Sequence, residues 1–136
     1  MTKYQLDVIG VDAADVVRSA GGWLCDRVMA GWDVQVTLTE DGDLRALHIL
    51  GLRIGERREE PVALAVAGGL GVQVQAALTR GGAEVMVWDA DRLTGLEPVR
   101  YVLSSAARAF KAQALAAAGL DPSQLRPVEV FRSRRT

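Results

Sequence analysis

Histidine and cysteine are nearly absent from this chain, which holds one of each, His48 and Cys25. A lone cysteine cannot close an intramolecular disulfide, and no His/Cys/Asp cluster has metal-ligand spacing. Neither Gly-x-Ser-x-Gly nor Gly-x4-Gly-Lys-[Ser/Thr] occurs, so a nucleophile elbow and a Walker-type phosphate loop are both missing. The expectation is therefore no catalytic residue, no metal and no cofactor, with an enzyme the less favoured reading. Aromatic residues are few, which argues against stacking on single-stranded nucleic acid. Long apolar runs are missing too. The longest, Val62 to Val72, contains three glycines and is too short to span a bilayer. The first ten residues carry no basic segment followed by an apolar one, so no secretory signal is visible. No membrane association and a reducing, cytoplasmic location follow. Lysine is scarce, two against fourteen arginines; with abundant Ala, Gly and Val this suggests a GC-rich bacterial genome.

What is present is ordinary globular material. At 136 residues, about half apolar and a quarter charged, the chain is expected to form one domain over residues 1–136. Charge is unevenly spread. Residues 1–97 carry nine basic and fifteen acidic side chains, whereas residues 98–136 carry seven basic and two acidic ones. That asymmetry, ending in a basic tail from about Arg132, points to an acidic partner or to a homodimer in which unlike ends meet.

Along the chain, Gln5 to Val11 alternates as a first strand. Asp12 is a suitable N-cap for a helix with Val16, Ala20, Trp23, Leu24 and Val28 on one face, stopped by Gly31. Gly21-Gly22 within it marks either close packing against a neighbour or a break. Asp33 to Thr39 alternates as a half-buried strand, Asp41-Gly42 is a hairpin turn signal, and Leu44 to Leu52 is its return strand. Arg53 to Glu60 reads as an exposed charged loop.

Residues 61–82 allow two readings: strand, glycine turn and helix, or helix, glycine turn and strand. A recurring junction favours the first. Gly31-Trp32-Asp33-Val34-Gln35-Val36 and Gly82-Ala83-Glu84-Val85-Met86-Val87 share the scheme Gly-x-acid-Val-x-Val, and the first copy follows a helix. Ala83 to Trp88 is a strand and Asp89 to Gly95 a loop. Pro98 suits the first position of a helix whose stripe is Leu103, Ala106, Phe110, Ala114 and Ala117, ended by Gly119. Pro127 to Phe131 is a last short strand. The expected fold class is α/β, three-layer, with a mostly parallel sheet and one antiparallel hairpin. The alternative is α+β, built from two helix–hairpin units.

The sharpest local signal is Val66-Ala67-Gly68-Gly69-Leu70-Gly71, then a helix, then a strand ending in Trp88-Asp89-Ala90-Asp91. This stretch resembles the opening βαβ unit of Rossmann-type dinucleotide-binding proteins. The resemblance implies a phosphate at Gly68, Gly69 and Gly71 and a ribose at Asp89. Two positions depart from that pattern: Ala67 stands at the first glycine and Val72 at the third. Asp89 and Asp91 otherwise read as solvated loop carboxylates.

The remaining residues weigh toward structure. His48 shares a strand face with Leu44, Ala46 and Leu50 and reads as structural. Cys25 reads as an inert helix thiol. Trp23 belongs in the core, Trp32 and Trp88 at a sheet rim, and Arg27 within an apolar stripe with its head group in water. On the third helix, Arg100, Ser104, Arg108 and Lys111 fall along one side. With Arg132, Arg134 and Arg135 they make a candidate partner-binding face. The function expected from all this is a non-catalytic binding or regulatory module acting through a protein partner, an acidic surface or nucleic acid. The alternative is a small Rossmann-like nucleotide-binding protein or enzyme using Gly68–Gly71 and Asp89.

Overall fold

The computed structural model describes residues 4–56, 58 and 61–134, and Arg135 of the candidate partner face lies outside them. The elements run β1 (Gln5–Gly10), α1 (Ala13–Met29), β2 (Asp33–Leu38), α2 (Arg45–Ile49), β3 (Arg53–Ile54), β4 (Ala63–Ala67), α3 (Gly71–Arg80), β5 (Glu84–Trp88), β6 (Glu97–Val102), α4 (Ser105–Ala117) and β7 (Val128–Arg134). A 3₁₀ turn at Pro122–Gln124 precedes β7. All the strands join one sheet in the order β3-β2-β1-β4-β5-β7-β6. The first five are mutually parallel; β7 runs antiparallel to both β5 and β6. The fold is α/β with a mostly parallel sheet, and the α+β alternative does not hold.

Side-chain alternation divides the core in two. Leu6 and Val8 of β1 face one core, together with Val16, Val17 and Leu24 of α1, Leu47 of α2 and Ala107 of α4. Ile9 faces the other, beneath Val74 and Ala77 of α3. β4 (Ala63–Ala67) is buried at every position, as a strand covered on both faces must be. Asp7 shares the α3 side of β1 and is buried, so it needs a partner. Arg58 supplies one, its guanidinium 3.1 Å from Asp7 Oδ1 and its backbone N–H donating to Oδ2 at 2.7 Å. The segment expected to be an exposed loop therefore brings at least Arg58 back onto the sheet.

Three expected boundaries are corrected. Asp41-Gly42 makes no hairpin: Leu44 to Leu50 contains the helix α2, and β3 then pairs parallel with β2. Leu44, Leu47 and Leu50 recur every three residues, and the Asp43 carboxylate accepts the Arg45 backbone N–H at 3.0 Å where the helix opens. Gly51, with φ of 80°, ends the turn. The antiparallel pairing falls instead on β7. The last helix starts at Ser105, not Pro98, because the Ser104 hydroxyl caps it by accepting the Ala107 N–H. Residues 97–102 form an edge strand, where Pro98 is tolerated because a missing donor can face solvent. Finally, Arg132 and Arg134 belong to β7, so the basic tail expected from about residue 132 is ladder-paired with β5 up to Arg134.

The expected strand, glycine turn, helix and strand over residues 66–89 is present, with β4 and β5 parallel in the register Ala67↔Trp88. No helix among the described residues is long and apolar enough to cross a membrane.

Candidate functional site

In an open α/β sheet, ligands gather outside the carboxyl ends of the strands, where the connections diverge. Here the chain leaves β1 toward β2 and β3, then returns to build β4 and β5 on the other side. The carboxyl ends of β1, β4 and β5 meet through a small set of contacts centred on Trp88. Its ring is buried, and its indole N–H donates to Asp15 Oδ1 at 3.0 Å. Asp15 Oδ2 accepts the Val11 N–H at 3.0 Å. Gly68 N–H donates to the Trp88 carbonyl at 2.6 Å. Trp88 is thus a core anchor and not a rim residue.

The next residue, Asp89, is the one described non-glycine residue with positive φ, at 53°. Asp tolerates this left-handed region better than most side chains. Gly68 is what gives it room. A Cβ there would stand 2.2 Å from the Asp89 carbonyl oxygen and 2.5 Å from that of Trp88. The carboxylate of Asp89 is left exposed at the mouth of a cleft of about 1180 Å³. The sheet forms this cleft by overhang. β5 pairs with Arg132 to Arg134 only, so Val128 to Phe131 of β7 runs on past its end with β6 alone beside it. Arg18 and Ser19 of α1, Asp89 and Asp91, the 120–127 segment and the β6–β7 overhang supply the walls.

The floor holds a buried ion pair, Lys111 Nζ to Glu129 Oε2 at 2.7 Å. The pair is inserted into α1. Glu129 accepts the N–H groups of Gly22 at 2.8 Å and Trp23 at 2.7 Å, while Lys111 donates to the Arg18 carbonyl at 2.9 Å. Arg18 C=O and Gly22 N–H are the two ends of one ordinary i→i−4 helical bond. The ion pair engages both. A Cβ at Gly22 would stand 2.0 Å from Leu103 and 3.2 Å from Glu129 Oε2, which explains the glycine pair in the helix interior. Burial pushes the Glu129 carboxyl above its usual range, against the opposing pull of Lys111 and the two helix N–H groups.

The sequence-derived sites fare unevenly. Gly68 and Asp89 do meet, but Gly68 answers to strand packing. Gly69 and Gly71 have open space where a Cβ would be, and Val72 is 83% exposed. The basic face is split: Arg100 and Arg132 share one sheet face, while Arg108 and Lys111 lie on α4. Arg100 lies on β6, Arg108 is exposed on α4, Lys111 is buried in its ion pair, and Arg132 lies on β7. Arg134 donates to the Leu78 and Ala77 carbonyls at the end of α3. His48 is on α2 and exposed, not on a strand. Cys25 is buried, with its thiol pushed up by that burial and by the nearby carboxyls of Asp26 and Glu129. Trp23 packs on Phe131, ring centroids 5.1 Å apart, in the core as expected. Trp32 stacks on Tyr4 with Arg27 over its ring at 5.7 Å. Among the described residues no group of three or more His, Cys, Asp or Glu could hold a metal ion. Sequence reasoning missed the Lys111–Glu129 pair, although the glycine pair opposite it was the available signal.

No protein-family model and no curated protein matches the chain. Solved structures do. A deacetylase in complex with teicoplanin matches with a TM-score of 0.67 and 14% identity, over 95% of this chain and 97% of that one. The deacetylase of the A40926 pseudoaglycone gives 0.65 and 16%, over 98% of both chains. The 4-carboxy-2-hydroxymuconate hydratase of Pseudomonas putida KT2440 gives 0.59 and 14%, over 99% and 98%. At such identity the likeness carries the fold. These neighbours are enzymes, so the expected non-catalytic regulatory module is set aside, as is the non-enzymatic form of its Rossmann-like alternative. So is a protein, acidic-surface or nucleic-acid partner.

Proposed function

We propose that this chain is an enzyme acting on a small molecule, with water as the second reactant, in the cleft beyond the carboxyl end of β5. The observation that carries the reading is Asp89, an exposed carboxylate at the cleft mouth whose backbone is held at φ 53°. Residues in such sparsely populated conformations cluster at functional sites. Trp88, Asp15 and Gly68 over-determine its position, as a catalytic group requires.

The structural neighbours include deacetylases and a hydratase. The two reactions share one step. Hydrolysis of an N-acyl bond and hydration of a carbon–carbon double bond both begin as a water oxygen bonds to an electron-poor carbon and a base takes its proton. Asp89 is that base. In hydrolysis the departing nitrogen recovers the proton; in hydration the neighbouring carbon does. A cytoplasmic location belongs to the same proposal, since a buried, unpaired thiol fits a reducing compartment.

The test is turnover of two substrate panels, N-acetylated amines followed by acetate release and α,β-unsaturated carboxylic acids followed by loss of absorbance. Asp89→Asn should lower the rate on any active substrate by about 10²–10⁴-fold, the usual contribution of a general base. Undiminished turnover by this variant, or no turnover on either panel, overturns the proposal.

A further inference from the structure

We propose that Arg100 and Arg132 together form a binding site for a carboxylate group on a short apolar skeleton. This names a substrate class for the cleft and rests on the reading above for its catalytic meaning. Arg100 stands opposite Val130 and Pro98 opposite Arg132, so the two arginines are diagonal neighbours on adjacent antiparallel strands. Even-numbered residues of β6 and β7 share one sheet face, and diagonal positions are about 7–8 Å apart, within reach of long side chains.

This face is the uncovered part of the sheet: Val102 is 69% exposed and Val130 61%. Among the described residues neither arginine is in an ion pair, although Asp89, Asp91, Asp121 and Glu129 also line the cleft. Of these acids, Glu129 is already taken by Lys111. Arg134, the next residue of β7 on that face, shows the contrast, because the α3 carbonyls engage its two terminal nitrogens. Two like charges in adjoining positions repel unless an anion lies between them. A guanidinium fork matches a carboxylate in a bidentate fashion. Pro98, Val102 and Val130 around the pair suit carbon chain better than water. Arg132 also pairs in register with Val87, two residues before Asp89. A molecule anchored there therefore extends toward the proposed base.

The probe is succinate, with succinamide as its neutral counterpart and inorganic phosphate as a competing anion, each titrated calorimetrically at low salt. Wild type should bind succinate in preference to both. Arg100→Gln and Arg132→Gln should each weaken succinate binding at least about tenfold, a loss of about 1.4 kcal/mol. Arg108→Gln, on α4 outside the cleft, should not. The melting temperature of wild type should rise with succinate and that of Arg132→Gln should not, while Arg132→Gln without ligand melts no lower than wild type. Equal succinate affinity in the arginine variants, an equal loss in Arg108→Gln, or tighter binding of phosphate than of succinate overturns the site. Arginine-dependent succinate binding alongside an Asp89→Asn variant of full turnover would overturn the water chemistry and leave this site standing.

Discussion

A methyl group at position 68 has nowhere to go. It would meet two backbone carbonyl oxygens, of Trp88 and Asp89, at 2.5 Å and 2.2 Å, and neither belongs to a flexible side-chain end. Gly68→Ala should therefore push the ends of β4 and β5 apart, costing about 1–3 kcal/mol as an overpacked position does. Urea unfolding measures this, with Gly69→Ala, where a Cβ meets nothing within 4 Å, as the comparison. Equal stability of the two variants would remove the packing account of Gly68. The same residue links structure to the proposed chemistry, because Asp89 holds its left-handed backbone against it. The glycine-rich turn was legible in the sequence. Its reason was not, since only the β4–β5 register brings residue 68 against residue 89.

At the scale of elements, α1 is spliced to α4 and β7 by the Lys111–Glu129 pair. Removing one partner of a buried pair strands the other charge, and Lys111→Met should cost about 3–5 kcal/mol by thermal or urea unfolding. A loss below about 1 kcal/mol would mean that the pair is incidental to the helix. The pair also carries a pH signature. The Glu129 carboxyl is raised in the folded protein by burial, so the folded state holds this proton more tightly than the unfolded chain. Its stabilising contribution is complete in acid below the ordinary glutamate range and is lost as pH climbs through the raised folded value. Wild type and Glu129→Gln should thus have similar stability near about pH 4, with wild type falling behind toward about pH 8. The opposite slope would mean that Lys111 and the helix N–H groups outweigh burial. Misreading α2 has a physical cause at this same scale. Leu44, Ala46, Leu50 suits a period of two and Leu44, Leu47, Leu50 suits a helix, and a run this short cannot separate the periods.

For the whole molecule, the two faces of the sheet are unequally covered. One carries α1, α2 and α4; the other carries α3, which buries only Val74 and Ala77 within its length, and leaves β6 and β7 open beyond it. Opening free energy follows buried contact, so α3 should open before the rest. Backbone amides of α3 should exchange with solvent markedly faster than those of α1 and β4 under native conditions, read by hydrogen exchange with residue resolution. Protection of α3 equal to that of β4 would contradict this ranking. The same asymmetry bears on function, because Arg100 and Arg132 lie on the bare half of the sheet.

Local patterns alone were enough for the α/β class and for β1, α1 and β2, and they favoured the β4–α3–β5 unit over its inverse. Each has a strong period, a cap such as Asp12, or a glycine stop, and those are properties of neighbouring residues. The apolar face of α1 likewise placed Trp23 inside. Tertiary structure decided the rest. Whether Arg100 and Lys111 lie on one helix depends on where α4 begins, and the Ser104 cap with its bonds to Asp26 places that start after an edge strand. Whether Lys111 is solvated or buried depends on Glu129, eighteen residues away, and on a carbonyl of α1 ninety-three residues away. The cleft itself arises from unequal strand lengths across the β5–β7 pairing. Charge, burial and cavity are products of contacts between distant segments, and a linear pattern carries no record of which distant segment will supply them.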